Sequence, residues 1–168
     1  MTTSKWLAIS AACLFGTSAQ LRAEGSDISS YFCVVEASGG VAYNANMKKW
    51  VGMTFNPDGK FVLRLRQLSR RSEKNAFGND EAVTDYNISL TEFGSSTART
   101  CEKIGSADPT VTVYGDKALY CADATTDYVF NITANRFLAS DMRGYVFGKN
   151  ESSEDYPSIS AGTCTKIE

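Results

Sequence analysis

Apolar and polar residues alternate with a period of two along much of the chain, which predicts a protein built from strands. Phe61, Leu63 and Leu65 alternate with Lys60, Arg64 and Arg66, and Val62 is the one apolar residue out of phase. Tyr86, Ile88 and Leu90 alternate with Asp85, Asn87, Ser89 and Thr91. Tyr128, Phe130 and Ile132 do so with Asp127, Asn131 and Thr133, and Val111 and Val113 with Thr110 and Thr112. Successive strand side chains leave on opposite faces, so each pattern describes one face in a core and one in water. Shorter candidate strands are 31–36, 41–44, 49–55, 118–122, 137–140 and 145–148.

Turn chemistry supports this reading. Asn56-Pro57-Asp58-Gly59 separates two strand-like runs. Proline pre-sets one turn residue, Asp58 bonds locally and Gly59 takes positive φ, which predicts a hairpin pairing 49–55 with 60–67. Ala134-Asn135 predicts a second hairpin between 128–133 and 136–140. Ser38-Gly39-Gly40 reads as a loop between early strands. No segment after the first 23 residues sustains a 3.6-residue period with caps, and at most one helical turn fits in 69–83. The expected fold is all-β: an antiparallel barrel-like meander or sandwich of about 8–10 short strands. A barrel is slightly favoured, because closure removes exposed strand edges.

The N-terminus changes the picture of where this domain lives. Lys5 precedes an uncharged run from Trp6 to Phe15, and small residues follow at Gly16, Thr17, Ser18 and Ala19. That is the layout of a secretory signal peptide, and a run of about ten residues falls well short of the ~20 that span a bilayer. Residues 1–23 are therefore expected to be a signal, cut after Ala19 or Ala23, and residues 24–168 a single β domain. A lipoprotein anchored at Cys13 is disfavoured by the short apolar run before it. No later segment reads as a transmembrane helix.

Removing the signal discards Cys13 and leaves Cys33, Cys101, Cys121 and Cys164. An even set in an oxidising compartment points to two structural disulfides. Four cysteines allow three connectivities, and sequence does not choose among them. We favour Cys33–Cys164, because a closed sheet would set its first and last strands side by side. Cys101–Cys121 would then flank the strand at 110–114.

Charge and composition narrow the chemistry. The whole chain has 17 basic and 19 acidic residues, and loss of Lys5 and Arg22 with the signal makes the remainder more acidic. Such a surface has no global attraction to nucleic acid. The chain contains no histidine. That removes the usual general base, the Ser-His-Asp and Cys-His arrangements and histidine-ligated zinc, and paired cysteines remove thiolate chemistry. There is no Cys-x-x-Cys, no Ser-x-x-Lys, no phosphate-binding glycine loop and no calcium loop, so no cofactor or metal is expected. Paired carboxylates remain as an enzymatic route: Asp123 and Asp127, with Glu36, Asp141 and Glu151 as further candidates.

Two features suggest binding. Arg64, Arg66, Arg70, Arg71 and Lys74 place five cations within eleven residues, offset only by Glu73. Arg64 and Arg66 share the outward face of a strand, and the other three are expected in a loop. One basic patch on an acidic protein suits an anionic partner, whether an envelope component or an acidic protein surface. Trp50, the one tryptophan beyond the signal, lies beside Lys48 and Lys49 and is a candidate anchor if exposed. In its strand Val51, Met53 and Phe55 are expected to face inward. Asn87-Ile88-Ser89, Asn131-Ile132-Thr133 and Asn150-Glu151-Ser152 fit the N-glycosylation pattern, which would be silent in a bacterial chain.

Tyr31-Phe32-Cys33-Val34-Val35-Glu36-Ala37, Lys49-Trp50-Val51-Gly52-Met53-Thr54-Phe55 and the ending, Gly144-Tyr145 with the stretch from Asp155-Tyr156-Pro157 to Cys164, together resemble uncharacterised small exported proteins of bacteria. The resemblance implies export and carries no activity. Secreted lysozyme inhibitors with a Ser-Gly-x-x-Tyr loop are a near miss, since Ser38-Gly39 meets Tyr43 one residue too late. The Gly-x-Trp signature of lipocalins is absent, because Lys48 stands there. The expectation is a periplasmic or secreted, non-enzymatic binding module. A carboxylate-based hydrolase of extracellular polysaccharide and an envelope structural protein are the alternatives.

Overall fold

The computed structural model describes residues 27–115, 118–142 and 156–168. The expected signal at 1–23, the candidate strand 145–148, Glu151 and the Asn150 motif lie outside the described residues. Ten antiparallel strands form one sheet: β1 (Ile28–Asn44), β2 (Lys49–Phe55), β3 (Lys60–Lys74), β4 (Asp80–Glu92) and β5 (Ala98–Cys101), then β6 (Thr110–Tyr114), β7 (Leu119–Ala122), β8 (Asp127–Asn131), β9 (Arg136–Asp141) and β10 (Ser158–Lys166). The order along the sheet is β5-β4-β3-β1-β10-β9-β8-β7, with β2 added to β1 and β6 to β4.

The alternation seen in the sequence builds the core. Leu63, Leu65, Ile88, Leu90, Val111, Tyr128 and Phe130 are buried, and Phe61, Tyr86, Val113 and Ile132 pack against them. Phe61 meets Phe137 edge-on at 5.0 Å between ring centres. The four sulfurs lie in the same core, joined as Cys33–Cys164 and Cys101–Cys121.

The sheet is not closed into a barrel. Cys33 and Cys164 do face each other across β1 and β10, but this pair sits mid-sheet rather than at a seam. The seam falls between β5 and β7, the ends of the strand path. They meet at one bridge, Glu102 with Ala122, beside the Cys101–Cys121 bond.

The reason lies in β1. Its first half pairs with β3, from Ile28↔Arg66 to Val34↔Lys60, and its second half pairs with β2, from Ser38↔Phe55 to Asn44↔Lys49. So β2 and β3 run end to end along one edge of β1. Asn56-Pro57-Asp58-Gly59 is a jog between them, not the expected hairpin turn, and Gly59 uses its carbonyl to accept from Val35 N–H. Ser38-Gly39-Gly40 is likewise strand rather than loop, paired on both edges with β2 and β10. At Gly40 a side chain would strike the Pro157 carbonyl and the Phe55 ring, and at Gly162 the Val34 carbonyl and the Phe137 ring. Close approach explains glycine at both positions.

Two further differences concern β3 and β2. The stretch 69–83 holds no helical turn: β3 runs on to Lys74, turns at Asn75–Asn79 and returns as β4. A register shift between Gln67 and Ser69 disturbs the period-2 signal there. In β2 the expected inward positions are not core, and Met53 is about half exposed. The Ala134-Asn135 hairpin forms as expected, with Asn135 at φ 54° and Asn131 Oδ1 accepting from Ala134 N–H.

Candidate functional site

Burial of Leu63 and Leu65 turns Arg64 and Arg66 to the outer face, where both are exposed. Ile28 and Ser30 of β1 stand opposite on one side, Asn87 and Ser89 of β4 on the other. Two residues of strand separate the guanidinium-bearing positions by about 7 Å. Phe32 and Val62 continue the same outer face. Beyond them Phe93, 70% exposed, meets Phe32 edge-on at 5.7 Å and donates its backbone N–H to the Lys60 carbonyl. The result is a stripe about 20 Å long, aromatic at one end and cationic at the other.

The cations of β3 are not equivalent. Arg71 pairs with Glu73 at 2.6 Å and with Asp85, and Lys74 pairs with Asp80 at 3.3 Å. Arg64, Arg66 and Arg70 make no ion pair with any described residue. Arg70, Arg71 and Lys74 belong to the strand rather than to a loop. Arg70 faces away from the stripe, because Arg71 shares the outer side with Asp85. Asp85 also accepts from Ser69 Oγ at 2.6 Å and Thr112 Oγ1 at 2.8 Å. The Ser69 bond, then those from Thr112 and Arg71, hold its pKa below the ordinary aspartate value against a partial desolvation that opposes them. This cluster clamps β3, β4 and β6 together.

Trp50 is not part of the stripe. It is half-buried, sits opposite Tyr43 and meets it edge-on at 5.9 Å. From Tyr43 to Ser30, which marks the Arg64 position, is about 40 Å of strand path.

Among the described residues, the candidate carboxylates Asp123, Asp127 and Glu36 have separate surroundings. Asp123 is almost fully buried and fully engaged. Its Oδ1 accepts from the N–H groups of Thr125 and Thr126, and its Oδ2 binds Arg99 at 3.0 Å and the Tyr128 hydroxyl at 3.4 Å. Burial, then the Asp123 charge, raises the Tyr128 pKa. Asp127 is exposed on β8, where alternation sends it away from Tyr128. Glu36 accepts from Thr163 Oγ1 at 2.6 Å on another part of the sheet. Among the described residues no three histidine, cysteine, aspartate or glutamate side chains form a metal-binding group.

Sequence reasoning found Arg64 and Arg66 but missed Phe32 and Phe93. Phe93 carried a signal: a large aromatic followed by Gly94 (φ 86°) in a turn, where nothing apolar is required. In comparisons with known proteins the chain matches no family model, no curated protein and no solved structure. Fold and bonds define a disulfide-bonded all-β domain, consistent with an extracellular protein. Its two disulfides suggest an oxidising, extracytoplasmic compartment. No helix among the described residues is long and apolar enough to cross a membrane.

Proposed function

We propose that this is an exported, periplasmic or secreted binding module of bacterial type that captures an anionic amphiphilic partner on its outer β3 face. The observation that carries the reading is the contrast among cations on one strand: Arg71 and Lys74 are neutralised, whereas Arg64 and Arg66 stand exposed with no acidic partner described. On the β1 side, Glu168 accepts from Ser30 Oγ at 3.2 Å and makes no ion pair with Arg64. Guanidinium groups suit phosphate or carboxylate recognition, and the adjoining Phe32, Val62 and Phe93 supply an apolar contact. An anionic lipid of the envelope combines both chemistries; an acidic protein would use the cations alone.

Co-sedimentation with phosphatidylglycerol vesicles tests this. The protein should pellet with them, should be released as salt rises, and should ignore phosphatidylcholine vesicles. Arg64→Glu with Arg66→Glu should abolish pelleting, and Phe93→Ser should weaken it. Unchanged pelleting of the double variant would sink the assignment. Binding to polyglutamate but not to vesicles, unaffected by Phe93→Ser, would replace the lipid with an acidic protein partner.

A further inference from the structure

The open end of the seam holds a second feature, on the opposite face of the sheet. The bridge and the disulfide join β5 to β7, but no ladder joins β6 to β7. Where these strands part, the interior opens into a cavity of about 230 Å³. Its walls are the tyrosines Tyr31 and Tyr86 with Leu65, Val113, Leu119 and Ile132, all on the inner face. Asp27 and Gln67 stand with them, and among the described residues no lysine or arginine lines the space. Asp27 makes no ion pair with any described residue.

From this geometry we infer that the cavity is a binding site for a small organic cation, such as an alkylammonium group, held by the rings of Tyr31 and Tyr86 and the carboxylate of Asp27. Three observations converge on that class. The volume lies below the ~300–1,000 Å³ of sites that take drug-sized ligands, so the occupant is small. Tyrosine faces attract a cation through the ring quadrupole, and more strongly where water is excluded. Among the described lining residues Asp27 is the one carboxylate and no side chain is basic, which disfavours anions. Burial, then the neighbouring Tyr86, raises the Tyr31 pKa and keeps that ring neutral. The site shares no residue with the Arg64–Arg66 stripe, so it stands apart from the function proposed above.

Choline is the probe, titrated by calorimetry into the oxidised protein. It should bind saturably. Its neutral isostere 3,3-dimethylbutan-1-ol should bind at least about tenfold more weakly. Asp27 is exposed and no described side-chain bond depends on it, so Asp27→Asn should keep the fold while weakening choline about tenfold. Tyr86→Leu should remove binding, and Arg64→Glu with Arg66→Glu should leave it unchanged. Equal affinity for the isostere, or full affinity in the Asp27→Asn protein, would overturn cation recognition. Saturable binding of glucose with none of choline would overturn it as well, making the cavity a sugar site.

Discussion

Cutting the long disulfide should destabilise the protein more than cutting the short one. Cys33–Cys164 closes a span of 131 residues and Cys101–Cys121 a span of 20. Loop-closure entropy then assigns about 5 kcal/mol to the first and about 3 kcal/mol to the second. All four sulfurs are buried, so alanine removes comparable apolar burial in each pair and that loss cancels in the comparison. A difference of about 2 kcal/mol remains, or about 4–8 °C in Tm at 2–4 °C per kcal/mol for a chain of this size. The variants are Cys33→Ala with Cys164→Ala, and Cys101→Ala with Cys121→Ala. Urea unfolding followed by far-UV circular dichroism gives each stability. Free energies rather than midpoints must be compared, because losing a cross-link expands the unfolded chain and raises the denaturant slope. An equal or reversed order would refute the reasoning. It would mean that the β5–β7 seam, held by one bridge and one disulfide, matters more to the fold than the central β1–β10 ladder.

Gly162→Ala should cost about 1–3 kcal/mol in urea unfolding, because its methyl would be forced into the Val34 carbonyl and the Phe137 ring. Gly52→Ala, with open space around it, should stay within about 0.5 kcal/mol. Asp85 has a folded pKa below its unfolded one, so its contribution is complete above the ordinary aspartate value and is lost as pH falls through the folded value. Asp85→Asn should therefore flatten the loss of stability between about pH 5 and about pH 2, and an unchanged acid limb would contradict that. Burial raises the pKa of Tyr31 and of Tyr128, the latter helped by Asp123. Stability from keeping them neutral is present below the ordinary tyrosine value and lost as pH rises through the folded values. Absorbance titration should show these two ionising above the ordinary tyrosine value, together with alkaline unfolding.

What the sequence disclosed follows from where each signal is written. Leu63, Leu65, Ile88, Leu90, Tyr128 and Phe130 are core because a one-sided sheet writes its burial as alternation, and this is local. Pairing is not local. Nothing in Asn56-Pro57-Asp58-Gly59 distinguishes a hairpin turn from a jog between two strands that share β1 as partner. The difference depends on a strand that precedes it, so the hairpin expectation failed there. The glycines at 39 and 40 read as a loop for the same reason, since what they make room for, Met53 at Gly39 and Pro157 and Phe55 at Gly40, lies elsewhere in the chain. β5 and β10 lack clean alternation: Ala98–Cys101 is short, and Ser158–Lys166 carries small residues that fit between crowded neighbours. At the site, the outward direction of Arg64 and Arg66 was legible from the leucines between them. Which cations are neutralised was not, because Asp85 reaches Arg71 across a ladder. Phe93 joins the stripe only through its contact with Phe32, on another strand.

The most direct test of the central claim is a backbone amide NMR titration of the oxidised protein with short-chain phosphatidylglycerol below its micelle concentration. Shift changes should concentrate at Arg64, Arg66 and Phe93, with the facing positions Asn87 and Ser89, and disappear in the Arg64→Glu, Arg66→Glu protein. Changes confined to Trp50 and Tyr43, or persisting in that double variant, would contradict the assignment of the outer β3 face as the binding surface.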